Sequence, residues 1–149
     1  MTLPASGTIS MTDLNTELGS TRTNMNDSIL RALANKTTTN TAISMSDLYS
    51  KTGKIAKNIT LSGSTVSTGF SGTPSMNGTA DSLLRNAGNG NCELDWSAAP
   101  VWQGNYTITN NTTGISSTLV RQNSVSWQGA NPANLLRAGT SDFFTIIPS

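Results

Sequence analysis

The sequence predicts an α+β protein, in which a small N-terminal module of three short helices precedes an antiparallel β-sandwich or small β-barrel. Two observations support this prediction. Residues 9–53 carry apolar residues at helical spacing and contain one capped motif twice. From about residue 57 onward, short β-rich runs alternate with turn-forming Gly and Asn clusters. We therefore divide the chain into a helical module, 1–54, and a β-rich domain, 55–149.

The first helix is predicted from the stretch ISMTDLNTELG at residues 9–19. Ser10 is in place to cap the helix and Asp13 to complete a capping box, while Ile9 and Leu14 form a hydrophobic staple. Gly19 supplies a residue that can adopt the left-handed conformation at the end of the helix. The apolar stripe of this helix consists of Met11, Leu14 and Leu18.

The second copy, ISMSDLYSKTG at residues 43–53, repeats these devices. Ser44 and Asp47 form the capping box, and Gly53 is predicted to stop the helix. Its staple and stripe are formed by Ile43, Met45, Leu48 and Tyr49. A third helix is expected between the copies, capped by Asn26, with Met25 and Leu30 as its staple. Ile29, Leu30, Leu33 and Ala34 form the apolar face of that helix.

The second half contains six runs with strand character, separated by turn formers. They are residues 58–61, 64–70, 105–109, 117–122, 124–127 and 143–147. Most of the aromatic residues also lie in this half, and large aromatic side chains contribute core area efficiently. A compact β-domain is therefore expected here.

The helices are too short to be stable alone, because isolated helices below about 12–15 residues are marginal in water. Their apolar stripes consequently need a partner surface, which could be the second half of this chain, a sister copy or another protein. A self-packed helical domain is the alternative. The candidate docking residues are Ile9, Met11, Leu14, Leu18, Ile29, Leu33, Ile43, Met45, Leu48 and Tyr49.

The N-terminal module resembles the N-terminal module of tailed-bacteriophage virion structural proteins. The motif SGxISxxDLxxELG matches at residues 6–19, an intervening NDxxxRxL matches at 26–33, and ISxSDLYxK matches at 43–51. Ser50 stands where the family usually has Gly, and Thr41 and Ala42 where it often has Ser-Gly, which suggests an altered turn. The resemblance covers residues 3–54 and implies a place in a virion, as a tail, baseplate or fibre component or as a head-decoration protein.

Catalysis is not expected from this composition. The chain has no His, which removes the commonest general base, and its single Cys excludes an internal disulfide or a cysteine cage for a metal. Glu93 and Asp95 alternate and would share one face of a strand, which fits a solvated edge, a cation site or, least well, a pair of catalytic carboxylates. We predict no catalytic residue, no cofactor and no metal site.

Neither nucleic acid nor a membrane is an expected partner. Net charge is +1 and the nine Lys and Arg residues are scattered, so no basic face emerges. There is no apolar run long enough for a transmembrane helix, and the N-terminus lacks the pattern of a secretory signal. We expect synthesis in the host cytoplasm and residence in the virion.

Four aromatic residues are candidates for contact with a host glycan or another subunit: Trp96, Trp102, Tyr106 and Trp127. Core packing is the alternative, because a β-domain usually buries its tryptophans.

The leading functional prediction is a non-enzymatic virion building block of the tail, baseplate or fibre type. A capsid decoration protein, as a cement or head-fibre protein, and a glycan-binding module are the alternatives. Other virion proteins and copies of the chain itself are the expected partners, in a trimer or an assembly related to a hexamer.

Overall fold

A computed structural model describes residues 2–38, 41–62 and 66–149, which form a mostly β structure. Two helices, α1 (Met11–Leu18) and α2 (Ser28–Leu33), precede a 3₁₀ turn at Met45–Asp47. Nine strands follow, and they are β1 (Ile55–Ser62), β2 (Val66–Thr68), β3 (Thr73–Ser75), β4 (Gly78–Arg85), β5 (Cys92–Ala98), β6 (Tyr106–Asn110), β7 (Ile115–Arg121), β8 (Ser126–Gly129) and β9 (Ser141–Pro148). Among the described residues no helix has the length and hydrophobicity needed to cross a bilayer.

The strands form one antiparallel sheet in the order β2-β1-β9-β6-β7-β8-β5-β4-β3. Its two ends approach each other, so the sheet is a nearly closed barrel. Lys57 on β1 bridges the gap, because its Nζ donates to the carbonyl oxygen of Gly69 at 2.6 Å and to Oγ1 of Thr73 at 3.1 Å. The prediction of a β-rich second half is confirmed, in its barrel form.

The barrel interior follows from the period of two along each strand. On β6, Tyr106, Ile108 and Asn110 are buried, whereas Thr107 and Thr109 between them are half-buried. β9 alternates in the same way, with Phe144 and Ile146 buried and Phe143 exposed. Buried side chains from every long strand meet in the centre of the barrel.

The helical segment packs on the barrel, and the two share one hydrophobic core. Hydrogen bonds to backbone groups hold this connection. The amide of Gly53 donates to Oε1 of Glu17 at 2.8 Å, and the amide of Met76 donates to the carbonyl oxygen of Thr52 at 2.7 Å. Asn77 reaches from the turn between β3 and β4, and its Nδ2 donates to the carbonyl oxygens of Ala32 and Leu33 of α2, both at 2.9 Å.

The helical prediction is confirmed for α1 and α2, but three helices were expected and the second motif copy forms only a 3₁₀ turn. The left-handed residue after this turn is Ser50, with φ 57°, so Gly53 does not end a helix as predicted. Gly53 is required for a different reason. A Cβ there would lie 2.7 Å from Cδ2 of Leu18, so the close packing of α1 explains the glycine.

The cap of α2 was also predicted one residue too early. Asp27 is the N-cap, and its side chain accepts from the amide of Ile29 at 2.9 Å. Asn26 instead accepts, through Oδ1, from Nη1 of Arg31 at 2.9 Å. Met25 was expected to staple this helix, yet its side chain is exposed. The predicted apolar face of α2 is buried.

Five of the six predicted runs overlap fully described strands, and they fall on β1, β6, β7, β8 and β9. The run at 64–70 contains β2, and its residues 64–65 lie outside the described residues. Strands β3, β4 and β5 were not among the predicted runs. Their sequences are interrupted by Pro74, Gly78 and charged residues such as Asp81, which lower β-propensity, although barrel packing compensates for it.

Candidate functional site

The structure divides the ten candidate docking residues into buried and exposed ones. Ile9, Leu14, Leu18, Ile29, Leu33 and Leu48 are buried in this chain, so they are not free to contact another protein in this fold. The barrel, which is the second half of this chain, is the partner surface that covers these residues, and docking on another protein stays a prediction. Met11, Ile43 and Tyr49 are half-buried, and Met45 is 41% exposed.

Met11, Ile43 and Met45 border an apolar groove between the two motif copies. We call it the methionine groove; it encloses about 290 Å³. Met25, 38% exposed, and Met45, 41% exposed, are its outermost side chains. Its lining consists of Ile9, Met11, Leu14, Met25, Ile43, Met45 and Leu48. Six of these seven residues were predicted as candidate docking residues, whereas Met25 was predicted as a staple residue and lies at the surface instead.

Two capping boxes hold the walls of the methionine groove. The amide of Ser10 donates to Oδ2 of Asp13 at 2.8 Å, and the amide of Ser44 donates to Oδ2 of Asp47 at 2.8 Å. Hydrogen bonds from Ser10 hold the pKa of Asp13 below its usual value. Hydrogen bonds from Ser44 do the same for the pKa of Asp47, with Lys36 nearby as a weaker contributor. Both repeats therefore present an ionised carboxylate beside an apolar surface.

Three of the four aromatic candidates belong to the barrel core. Trp96, Tyr106 and Trp127 are buried and contact one another with ring centroids 5.4–6.1 Å apart. Trp127 also donates from Nε1 to the carbonyl oxygen of Gly104 at 2.7 Å. They cannot form a platform for a glycan or a subunit, and the alternative of core packing holds for them.

Trp102, by contrast, is half-buried and lines a second cavity of about 330 Å³. Its Nε1 donates to the carbonyl oxygen of Asn105 at 2.9 Å. Gly104 lies against the indole, since a Cβ there would be 2.2 Å from Cζ2 of Trp102. The bond and the close backbone contact fix the orientation of this ring.

We call this cavity the Arg31 cavity, because Arg31 is the charged residue among the described residues that line it. The lining consists of Asn26, Ser28, Arg31, Ala32, Thr37, Val101, Trp102, Gln103 and Gly104. A third hollow, which also contains Arg31 and Asn26, joins it to Met25 and Ile43 of the methionine groove. Arg31 and Gln103 were not predicted as site residues. The position of Arg31 inside the apolar run at residues 29–34 could have indicated it as a site residue.

Glu93 and Asp95 share one face of β5, as predicted for a strand, and polar neighbours satisfy them. Glu93 accepts from Ser126 at 3.0 Å and from Asn86 at 2.6 Å, and Ser82 donates to Asp95 at 3.3 Å. Burial acts to raise the pKa of Glu93, but hydrogen bonds outweigh it and the pKa lies below its usual value. Burial raises the pKa of Asp95. Among the described residues, no three His, Cys, Asp or Glu side chains lie close enough to hold a metal ion together.

Two further titratable groups are structural. Asp142 is buried and accepts from Nε of Arg137 at 3.0 Å and from Nδ2 of Asn110 at 2.9 Å. The hydrogen bonds from Arg137 hold the pKa of Asp142 below its usual value. Cys92 is buried, and burial raises the pKa of its thiol to about 12. A thiol with so high a pKa is a poor nucleophile at neutral pH.

Comparison of this chain with family models, with curated proteins and with solved structures gave no significant match. Function must therefore be argued from the surfaces described above.

Proposed function

We propose that this chain is a non-enzymatic structural component of a tailed-bacteriophage particle, of the tail, baseplate or fibre type. In this proposal the N-terminal segment attaches the chain to neighbouring virion proteins, and the barrel is displayed. Capsid decoration is the alternative position within the same particle.

The methionine groove carries the proposal. Met25 and Met45 expose apolar surface at the junction of two matching motif copies, and both copies are held in shape by a capping box. Methionine side chains are unbranched and polarizable, so they adapt to a partner surface. Because six of the predicted docking residues are buried within the chain, attachment is assigned to the outer edge of this groove, with Met11 and Ile43 behind it.

The test is particle composition. Mass spectrometry of gradient-purified particles is expected to detect the chain at a fixed ratio to the other structural proteins. A copy number in threes or sixes supports the tail or baseplate position, whereas a number that follows capsid symmetry supports decoration. Absence of the chain from washed, infectious particles would refute the proposal.

A pair of variants tests the docking surface. Met45→Asp places a carboxylate at the groove and is expected to lower incorporation into particles at least about tenfold, because a charge must be desolvated at an apolar contact. Val120→Asp, on the exposed face of β7, is the matched control and is expected to assemble normally. Equal incorporation of the two variants would contradict a role for the groove.

A further inference from the structure

Each wall of the methionine groove carries an ionised carboxylate beside the groove lining. On the first wall, Oδ2 of Asp13 accepts from the amide of Ser10, which lies between two lining residues. Asp47 accepts from Ser44 in the same way on the second wall. The capping boxes hold both carboxylates within hydrogen-bonding distance of the backbone that forms the walls. A molecule that occupies the groove therefore has two negative charges at its edges.

Cations of this chain compensate these two carboxylates only in part. Asp13 is exposed and forms no ion pair with any of the described residues. Oδ1 of Asp47 lies 3.6 Å from Nζ of Lys36, and the side chain of this Lys is 35% exposed. An ion pair so long and so exposed contributes little energy, so it gives way readily to a cation of a partner. Arg31 lines the adjoining hollow, but it is 6% exposed and its terminal nitrogens are held by Asn26 and by two carbonyl oxygens of the chain.

An apolar groove with a negatively charged rim fits a partner that is both apolar and basic. Met25 and Met45 present flexible thioether side chains, which adapt to the large apolar side chains of a partner. A groove of about 290 Å³ admits side chains of one short segment rather than a whole domain, and amphipathic helices occupy apolar grooves in this way. Lys or Arg on the flanks of such a segment is attracted by Asp13 and Asp47, whereas Asp or Glu is repelled.

We propose that the methionine groove receives an amphipathic basic segment of a neighbouring protein. The apolar side chains of that segment lie against Met25 and Met45, and its Lys or Arg side chains lie on Asp13 and Asp47. This inference rests on the attachment role proposed for the groove, and it adds the chemical class of the partner. Loss of the charge preference would remove the inference and leave the attachment role in place.

Two replacements of Met45 that differ in the sign of the added charge test the proposal in particles. Met45→Glu and Met45→Lys both place a long charged side chain at an apolar contact, so both are expected to lower incorporation. A basic partner attracts the glutamate and repels the lysine, so Met45→Lys is expected to incorporate at least about threefold less than Met45→Glu.

The outcomes of this comparison separate the two proposals. Equal losses for Met45→Glu and Met45→Lys, or the larger loss for Met45→Glu, would overturn the basic partner and leave the attachment role intact. Native incorporation of both variants would overturn both. Sedimentation of the native chain adds a further outcome, because self-association that either variant abolishes would identify a second copy as the occupant and overturn the basic segment.

Two synthetic helical peptides test the same preference on the full chain without particles. They share their leucine positions, and one carries Lys where the other carries Glu. By fluorescence anisotropy at low salt, the Lys peptide is expected to bind at least about tenfold more tightly than the Glu peptide, with a difference that shrinks as salt is added. Equal affinity for the two peptides, including no detectable binding of either, would overturn the proposal.

Variants of the rim charges locate the binding of the Lys peptide. Asp13→Asn removes the charge but keeps an acceptor oxygen for Ser10, and it is expected to weaken binding at least about threefold. Lys36→Gln removes the cation beside Asp47 and is expected to tighten binding. Asp81→Asn, an exposed carboxylate on β4, is the matched control and is expected to bind like the native chain. Native affinity in both rim variants would place the peptide elsewhere and refute the proposal.

Discussion

Asn77 joins the barrel to the helical segment, and its replacement tests whether the two form one folding unit. It is the second residue of a two-residue turn between β3 and β4, and both turn residues have positive φ, 48° at Met76 and 61° at Asn77. Such a turn favours Asn and Gly, and the Asn side chain here has a second role. It donates two hydrogen bonds of 2.9 Å to the last carbonyl groups of α2.

The two replacements Asn77→Gly and Asn77→Ala separate these roles. Each removes the two hydrogen bonds to α2 and the exposed one that Oδ1 of Asn77 accepts from Nζ of Lys51. At about 0.5–1.5 kcal/mol for each bond to α2, and little for the exposed one, the loss is about 2 kcal/mol. Gly accepts the left-handed backbone without steric strain, whereas Ala adds about 1 kcal/mol of strain. We therefore expect the free energy of unfolding to fall by about 2 kcal/mol for Asn77→Gly and about 3 kcal/mol for Asn77→Ala.

Urea denaturation measured by far-ultraviolet circular dichroism and by tryptophan fluorescence is the assay. Circular dichroism reports the helices and strands together, whereas Trp96 and Trp127 report the barrel core. Because one core spans both parts, the two signals are expected to change together in the native chain and in both variants. A loss below about 0.5 kcal/mol for Asn77→Ala, or a helical signal that disappears well before the fluorescence changes, would refute this reasoning.

The other predictions concern the core, the titratable groups and the exposed indole. Gly129→Ala places a Cβ 2.1 Å from the carbonyl oxygen of Thr118 and should lower the free energy of unfolding by about 2 kcal/mol or more. Gly88→Ala, in an exposed turn, is the control and should change the free energy of unfolding little. Urea denaturation measures both. Folding lowers the pKa of Asp142, so the ionised Asp142 carboxylate stabilises the fold at pH values above its ordinary pKa of 3.8. This stabilisation is lost as the pH falls through the lowered pKa of the folded chain. Asp142→Asn should therefore have a lower urea midpoint than the native chain at pH 7, and its urea midpoint should fall less than that of the native chain on acidification. Asp81→Asn is the exposed control. Parallel pH profiles of the native and Asp142→Asn chains would contradict this. Cys92 should react with a thiol reagent only at the rate of unfolding, because it is buried and its thiol pKa is about 12, and fast labelling of the native chain would show otherwise. Iodide should quench only the fluorescence of Trp102, because Trp96 and Trp127 are buried. Trp102→Phe should therefore remove the quenchable fraction of the fluorescence. Substantial quenching after this replacement would place another indole at the surface.

The fold was predictable wherever local chemistry and tertiary packing agree. The capping residues of α1, Ser10 and Gly19, take the predicted conformations because both act within a single turn. Burial alternates with a period of two along β6 and β9, because one face of each strand points into the core. This alternation can be predicted from the local sequence, without knowing which strands are neighbours. The second copy of the motif has the same capping residues, yet it forms only a 3₁₀ turn, since Ser50 and the packing of Gly53 against Leu18 redirect the chain.

The candidate site was less predictable, because it depends on which residues meet across the sequence. The stripes of α1 and α2 indicated apolar surface correctly, but no local pattern shows that the barrel covers it. Arg31 and Gln103 lie 72 positions apart, and they become neighbours only when the loop after β5 packs beside α2. Trp102 could not be distinguished from Trp96 and Trp127 by composition, since the difference lies in the loop that carries it.

Oxidative footprinting of the native methionines tests the assignment of the methionine groove most directly. Met25 and Met45 are exposed in the free chain, and Met76 is buried and serves as an internal control. Peroxide converts exposed methionine to its sulfoxide, which mass spectrometry quantifies at each position. We predict rapid oxidation of Met25 and Met45 in the free chain and strong protection of both in purified particles. Equal oxidation of these two methionines in the free chain and in particles would contradict the account.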